Sequence, residues 1–269
     1  MIDTHAHLDF ENFDEDREEV ISRFFEQGGK AIVNIGVDLE TSKKSIKLAE
    51  KHENIFAAVG LHPECFSEGD RGDDLKKLAV NEKVVAVGEC GLDYFRIGES
   101  GEIKERQKKG FLAQIELAQE LNLPVIVHCR NAWNDLFEIV SEFLRLNLKN
   151  QKFVLHCYSG NKNDTEKFLK LPNVFFSFSG NITYPPRKSP SRSPFNKEGE
   201  VEDVIRMIPL DRIMLDSDSP FLAPQAVRGK RNEPSFSRYI AEKIAEIKEI
   251  SGEEVERMTD ENAEKFFGI

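Results

Sequence analysis

Eight short apolar runs recur along the chain with amphipathic segments between them, and this alternation restricts the fold more than any other feature of the sequence. The runs lie at residues 2–5, 31–36, 55–59, 84–87, 125–127, 153–155, 174–177 and 213–215. Several are continuously apolar rather than alternating, as expected for strands buried on both faces of a parallel sheet. The intervening helical segments lie at residues 14–27, 41–52, 102–121, 132–146 and 162–171.

This order of elements predicts an α/β fold, a single-domain TIM (β/α)8 barrel. The main alternative is a doubly wound open sheet, but no Gly-x-Gly-x-x-Gly pattern follows the first predicted strand. We expect one domain over residues 1–269, in which residues 235–269 form C-terminal helices at 236–249 and 253–267 that pack outside the barrel.

Residues 182–200 interrupt the regular pattern after the seventh predicted strand, with a sequence rich in proline and basic residues. We interpret them as an inserted loop. Loops of this length in compact domains are either functional or disordered. Both interpretations stay open: a basic flap beside a binding site, or a solvated insertion.

Composition and charge limit the class of protein. No apolar run approaches the roughly 20 residues that a membrane span needs, and no secretory leader is visible at the N-terminus. Four scattered cysteines without a Cys-x-x-Cys pair argue against a disulfide framework, so we expect a cytoplasmic protein. The net charge of −11, from 37 basic and 48 acidic residues, weighs against a broad basic groove for nucleic acid. A small metal-lined pocket can still supply positive charge locally.

Side chains suited to metal binding lie at the ends of the predicted strands. His5 and His7 follow the first apolar run, and residues two apart on a strand point to the same face. Five of the six histidines lie at such ends, and only His52, in a predicted surface helix, does not. Active sites of TIM barrels lie at this carboxyl end of the strands. The residues found there are His5, His7, His62, Glu89, Asp93, His128, Arg130, His156, Asp216 and Asp218.

Each of these residues also has a structural interpretation. His128 or His156 alone is typical of a hydrogen-bonded core histidine, Glu89 could pair with Arg130, and Asp218 could cap a turn. Buried charges without partners are costly, however, and a shared metal ion would satisfy the whole group at once. A cluster of His, Asp and Glu without Cys favours Zn, Mn, Fe or Mg.

Seven ordered motifs resemble those of the TatD family of metal-dependent hydrolases, a branch of the amidohydrolase superfamily. They extend from residue 2 to about residue 234 and read DTHAHLD, GLHP, GECGLDY, HCR, HCYSG, DSDSPFL and RGKRNEP. The chain departs from the family pattern in two places. The family usually has a short lysine-containing turn where residues 182–200 stand, and its strand-8 motif usually reads Glu-Thr-Asp-Ser-Pro, whereas here Asp216 and Ser217 precede Asp218.

The resemblance implies a two-metal TIM-barrel hydrolase. Family members are described as deoxyribonucleases, typically 3′→5′ exonucleases that prefer single strands. The resemblance therefore implies a nucleic-acid substrate, single-stranded DNA, with two divalent ions (Zn, Mg or Mn) per subunit, no membrane and no obligate protein partner. The metal ligands that the family pattern implies are His5, His7 and Asp218 for one ion, His128 and His156 for the other, and Glu89 as the bridge.

We expect Asp218 and Glu89 to be the catalytic residues, with Asp218 also orienting the attacking water. His62 and Arg130 are not needed as ligands and are predicted to hold phosphate oxygens, since a guanidinium suits bidentate contacts of this kind. The remaining predicted substrate contacts are Tyr158, Ser159 and Asn181.

Two other functions stay open from the sequence. The same scaffold could cleave an ester or amide bond, such as a D-aminoacyl-tRNA linkage, because a fold does not determine a function. A catalytically silent metal-binding or partner-binding protein would be expected to lack a ligand of the family pattern, and none is missing here.

Overall fold

The computed structural model describes residues 1–65, 72–95, 100–146, 150–185 and 200–269. Eight parallel strands follow one another in chain order in one sheet, and the predicted TIM (β/α)8 barrel is confirmed. The strands are β1 Ile2–Ala6, β2 Ala31–Ile35, β3 Ile55–Val59, β4 Val84–Asp93, β5 Val125–Arg130, β6 Phe153–Leu155, β7 Val174–Phe178 and β8 Ile213–Leu215.

Helices in the described ranges surround this sheet and pack on it through apolar faces such as that of Phe111 and Ile115. Their bounds are α1 Arg17–Glu26, α2 Leu39–Lys51, α3 Gly72–Ala79, α4 Gly101–Leu121, α5 Trp133–Leu146, α6 Lys162–Leu169, α7 Glu200–Met207, α8 Ser237–Lys248 and α9 Gly252–Phe267. The α3 and α7 helices, each eight residues long, were not among the helical segments predicted from the sequence. None of the described helices has the combined length and apolarity that crossing a membrane requires.

The barrel closes where β8 meets β1. Thr4 Oγ1 donates a hydrogen bond to the carbonyl oxygen of Leu215 over 2.7 Å. The backbone N–H of Asp218 donates to the carbonyl oxygen of His5 over 2.9 Å. The two ends of the barrel sequence are therefore joined directly beside two of the predicted metal ligands.

The β4 strand is longer than the sequence pattern predicts, because it continues past residue 87 to Asp93. Gly88 and Gly91 interrupt the apolar run and adopt positive φ angles of 144° and 143°. A Cβ on Gly88 would lie 2.5 Å from the carbonyl oxygen of Ile126 in β5, so only glycine allows the two strands to approach this closely. Glu89 therefore lies within a strand, and its position is fixed by the sheet.

The α9 helix packs against the amino end of the barrel. Asp260 accepts a hydrogen bond from the backbone N–H of Ile2 over 2.6 Å and pairs with Lys30 over 2.8 Å. Phe266 and Phe267 join the apolar cluster that contains residues of the barrel interior, such as Val33. The opposite, carboxyl end of the barrel carries the predicted site residues.

The predicted inserted loop, residues 182–200, is described only at its two ends. Gly180–Thr183 forms a short 3₁₀ helix after β7, and α7 begins at Glu200. Residues 186–199 lie outside the described residues, and the interpretation of this segment as a basic flap stays a prediction.

Candidate metal centre

Glu89 lies at the centre of a group of imidazoles drawn from different strands. Its Oε1 atom is 2.8 Å from Nδ1 of His128, 3.3 Å from Nε2 of His156 and 3.8 Å from Nε2 of His62. Its Oε2 atom is 3.4 Å from Nε2 of His5. Burial alone would raise the pKa of Glu89, but His156, His128 and His5 outweigh it and hold the pKa well below its usual range. The carboxylate is therefore ionised, with both oxygens facing imidazoles.

A second carboxylate, Asp216, orients His156 from behind. Its Oδ2 atom accepts hydrogen bonds from Nδ1 of His156 over 2.9 Å and from the Ser177 hydroxyl over 2.7 Å. Its Oδ1 atom accepts from the Ser179 hydroxyl over 2.9 Å. Because Nδ1 of His156 is engaged in this way, Nε2 faces Glu89. Carboxylates hold metal-binding histidines in this arrangement.

His7 is oriented by the backbone instead. Its Nδ1 atom lies 3.2 Å from the carbonyl oxygen of Ile35, which can only accept, so Nδ1 carries the proton. Its Nε2 atom then faces Oδ1 of Asp218 over 3.6 Å. Asp218 has a φ of 52°, a left-handed conformation that is uncommon for a non-glycine residue and that recurs at functional sites.

His5 is buried, with a side chain that is only 1% exposed, and neither of its ring nitrogens has a hydrogen-bond partner among the described residues. Its ring stacks on that of His156, with a centroid separation of 3.7 Å and an interplanar angle of 14°. Burial, with a further contribution from His156, lowers the pKa of His5. A neutral, buried imidazole with an unused lone pair beside two carboxylates is the chemistry that a divalent cation fits.

The distances among these groups also suit cation binding. Candidate ligand atoms lie within 4.8 Å of one another in three overlapping groups. The donors are nitrogen and oxygen without sulfur, as suits Zn, Mn or Mg. The groups are His5, His7 and Glu89; His5, His156 and Asp218; and His62, Glu89 and His128. All six predicted metal ligands belong to at least one of these groups.

His62 differs from His7 and His156 because its Nδ1 atom accepts a hydrogen bond rather than donating one. Its Nδ1 atom accepts a hydrogen bond from the backbone N–H of Glu64 over 3.2 Å. Burial lowers the pKa of His62 to about 4, so the ring is neutral at pH 7 and its proton is on Nε2. The His62 side chain therefore presents an N–H donor toward Glu89, as expected of a group that binds an anionic oxygen.

Arg130 lies at the end of β5 with its guanidinium carbon 3.6 Å from the ring centroid of Phe95. It is exposed, and in the described part of the chain it has no carboxylate within ion-pair distance. Stacking of this kind holds a guanidinium in one plane and leaves its N–H groups available.

The three remaining predicted substrate contacts differ in accessibility. Ser159 and Asn181 are partly exposed, and Nδ2 of Asn181 lies 3.7 Å from Sγ of Cys157. Tyr158 is fully buried, its ring packs on Trp133 and Phe176, and its hydroxyl bonds Thr165. The structure therefore corrects the interpretation of Tyr158, which belongs to the hydrophobic layer outside the barrel because the residue after His156 and Cys157 turns away from the mouth.

Two carboxylates that sequence reasoning noticed but left without a role belong to the site. Asp216 orients His156, and Asp93 lies 3.1 Å from Nε2 of His128. Burial alone would lower the pKa of His128, but Asp93 and Glu89 outweigh it and raise the pKa to about 9. The position of Asp216 at the end of the last predicted strand was the sequence signal for its place in the site.

The RGKRNEP motif supports the loop that follows β8. Arg231 pairs with Asp16 through two hydrogen bonds of 2.8 and 2.7 Å. The buried amide of Asn232 donates to the carbonyl oxygens of Ser217 and Phe221, each over 2.6 Å. These contacts hold the segment that carries Asp218.

Comparison with known proteins gives matches over the whole chain. The sequence profile of the family described as "TatD related DNase" matches residues 2–268. The uncharacterized metal-dependent hydrolase YabD of Bacillus subtilis is 38% identical over 271 residues, which cover 100% of this chain and 99% of that protein. The 3′-5′ ssDNA/RNA exonuclease TatD of Pantoea ananatis is 32% identical over 276 residues, with 100% of both chains covered.

A solved structure is similar over the same length. The TatD homolog YJJV of Escherichia coli K12 superposes with a TM-score of 0.86 at 30% identity, covering 100% of this chain and 98% of its own. The sequence matches and the structural match therefore both include the barrel strands and the candidate metal centre.

Proposed function

Because the chain belongs to the TatD-related DNase family of metal-dependent hydrolases, we propose that it is a 3′→5′ exonuclease that cleaves phosphodiester bonds of single-stranded DNA. One observation carries the proposal: a buried, ionised Glu89 surrounded by imidazoles lies beside the neutral N–H donor of His62. A relative that is 32% identical over its full length is named as a 3′-5′ ssDNA/RNA exonuclease, which supports the choice of substrate.

In this proposal His5, His7 and Asp218 would hold one divalent cation, His128 and His156 would hold a second, and Glu89 would be shared between them. The ions would be Zn, Mg or Mn, since the donors are imidazole nitrogens and carboxylate oxygens. When bound, such a pair of ions neutralises the charge of a phosphodiester and lowers the pKa of water.

Asp218 is the residue that we assign to the attacking water. Its side chain is 15% exposed, against 5% for Glu89, and its Oδ1 atom lies 3.6 Å from Nε2 of His7. This oxygen accepts the water proton and orients the water toward phosphorus. As the new P–O bond forms, the bond to the 3′ oxygen of the preceding nucleotide breaks, and that oxygen leaves as a hydroxyl after taking up a proton. Glu89 is too enclosed by imidazoles to accept the water proton, and its role is to hold the cations in a fixed relation.

His62 and Arg130 bind the non-bridging phosphate oxygens in this proposal. The Nε2–H of His62 donates one hydrogen bond, and the planar guanidinium of Arg130 donates two. Because both groups keep their donors at neutral pH, they stabilise the charge that develops on phosphorus oxygens during displacement. Ser159 and Asn181 stay the predicted contacts for the sugar or base.

The test is a metal-supplemented assay with a single-stranded DNA oligonucleotide labelled at either end. We expect progressive shortening from the 3′ end, so a 5′ label gives a ladder and a 3′ label releases a mononucleotide. Glu89→Ala is expected to lose at least about 100-fold in rate, because even groups behind metal ligands contribute about 10–100-fold. His52→Gln, which changes a histidine outside the site, is expected to keep the full rate.

Matched RNA, D-aminoacyl ester and amide substrates complete the experiment. Cleavage of the ester or amide without cleavage of DNA would replace the proposal by the alternative hydrolase. A rate in Glu89→Ala equal to that of the wild type would overturn the assignment of the bridging ligand. Failure to cleave any of these substrates with Zn, Mg or Mn would overturn the proposed activity.

A further inference from the structure

Phe221 is a large apolar side chain that stays half exposed at the mouth of the barrel. Its exposed fraction is 50%, and it lies three residues after Asp218. The other strongly exposed apolar side chains of the described ranges are Val80, Leu112 and Leu146, which lie at the end of α3, in α4 and at the end of α5. Of this set, Phe221 is the residue beside the candidate metal centre.

The ring of Phe221 is packed on one side by aromatic neighbours. Its centroid lies 6.1 Å from the ring of His7 and 6.1 Å from that of Phe10, with interplanar angles of 66° and 77°. Phe10 itself stacks on His7 at 4.7 Å. Phe221 is therefore in contact with a predicted metal ligand while half of its surface faces solvent.

The backbone of Phe221 is held on both sides. Its N–H donates to the carbonyl oxygen of Asp218 over 2.8 Å, and its carbonyl oxygen accepts from Asn232 over 2.6 Å. Asn232 is 1% exposed, and its amide also bonds Ser217. An exposed apolar ring fixed in this way is already organised for a ligand, and little conformational freedom is lost on binding.

We propose that Phe221 is a specificity-determining residue that stacks on the base of the nucleotide whose phosphate is bound at the candidate metal centre. The inference rests on the proposed function and names how that function would select its substrate. Every base has an apolar π face, so stacking on an aromatic side chain tolerates any sequence. In the interior of a duplex both faces of a base are covered by its neighbours, and a paired terminal base is held in place by its partner, so an unpaired base is the better partner for this contact.

The charge of the chain supports the same role. A net charge of −11 repels a polyanion outside the immediate site, so long-range attraction to the DNA backbone is weak. Stacking adds affinity that does not depend on charge. Phe221 offers such a contact beside a predicted metal ligand, His7.

The test compares one single-stranded oligonucleotide with two copies that lack a base, one at the 3′-terminal nucleotide and one at the penultimate nucleotide. For the wild type we expect removal of the stacked base to lower kcat/KM at least about tenfold at one of these positions. Phe221→Ala is expected to show that loss with the intact substrate and no further loss when the base is absent. Phe221→Trp should restore base dependence, and Leu112→Ala, which truncates an exposed apolar residue of α4, should behave as the wild type.

Binding of the same oligonucleotides, measured by fluorescence anisotropy in the presence of a chelator, separates this inference from the proposed activity. Base-dependent binding that disappears in Phe221→Ala supports the stacking role even if no substrate is cleaved. The inference is overturned if Phe221→Ala keeps the base dependence, or if the wild type binds and cleaves intact and abasic strands equally. Absence of measurable binding and cleavage by the wild type would overturn it as well.

Discussion

Asp216 lies outside the predicted ligand set, yet it determines the orientation of a predicted ligand, His156. It is fully buried and accepts hydrogen bonds from the His156 ring, from the backbone N–H of Cys157 and from two serine hydroxyls. Burial alone would raise the pKa of Asp216, but His156 outweighs it and the pKa lies well below its usual range. The ionised carboxylate holds Nδ1 of His156 through a hydrogen bond and so keeps Nε2 directed toward Glu89.

Asp216→Asn is therefore expected to weaken divalent metal binding about 10–100-fold, because the amide keeps the size of the carboxylate but removes its charge. The measurement is titration calorimetry with Zn or Mn on the chelator-treated protein. Asp211→Asn is the matched control, since Asp211 is exposed just before β8 and touches none of the site residues. Metal affinity in Asp216→Asn equal to that of the control would contradict the orienting role.

For individual residues, the sequence predicted which side chains lie at the site better than it predicted the role of each. The imidazoles of His5, His7, His128 and His156 were predicted from strand ends and from the family resemblance, and the structure brings them together around Glu89. Asp216 was visible, yet its role depends on Ser177 and Ser179 from the neighbouring strand, and single-chain patterns do not give that register. Tyr158 was misplaced for a related reason, since the direction of the turn after β6 is set by packing.

Among the elements, the α2 helix has the clearest local start signal. Asp38 accepts a hydrogen bond from the backbone N–H of Thr41 over 2.7 Å, and the Thr41 hydroxyl accepts from the backbone N–H of Asp38 over 2.9 Å. This reciprocal pair is a capping box. Burial alone would raise the pKa of Asp38, but the hydrogen bonds from Thr41 outweigh it and lower the pKa.

Asp38→Ala is expected to lower the free energy of unfolding by about 1 kcal/mol at pH 7. Because the folded-state pKa is below the unfolded value of about 3.9, the contribution of the charge is full above that value and is lost as pH falls through the folded pKa. Urea unfolding between pH 7 and pH 3 measures this. Asp38→Asn keeps the hydrogen bond of the cap without the charge, so at pH 7 its stability should lie between those of the wild type and the Ala variant, and it should lack the loss that the wild type shows as the pH falls. An Ala variant as stable as the wild type at pH 7 would contradict the capping role.

The elements with a full apolar period were predicted within a few residues, and the exceptions have physical causes. Predicted strands 153–155 and 213–215 coincide with β6 and β8. The β4 strand was cut short because Gly88 and Gly91 look like turn residues, whereas here they allow close approach to β5. The same glycines that concealed the strand therefore position Glu89 at the mouth.

For the whole molecule, the candidate metal centre connects strands that are far apart in the sequence, and cations that bind only the folded state stabilise it. At a free concentration 100 times Kd, a cation adds about 2.7 kcal/mol to the free energy of unfolding. We expect Zn or Mn to raise Tm by roughly 5–10 °C, measured by calorimetry against chelator-treated protein. His52→Gln should show the same rise and Glu89→Ala little or none. A Tm that is insensitive to Zn, Mn and Mg in the wild type would contradict metal binding at this site.

The closure of the barrel between β1 and β8 determines when, during synthesis of the chain, the candidate metal centre can form. His5 lies in β1, the first strand of the barrel to be synthesised, and His7 follows it directly, whereas Asp218 follows β8, the last strand, which meets β1 to close the barrel. A growing or prematurely ended chain therefore lacks the complete first ligand set, however well its other strands have paired. If the protein degrades nucleic acid, a partly synthesised chain cannot do so, and the activity begins only after β8 has been made and has closed the barrel against β1.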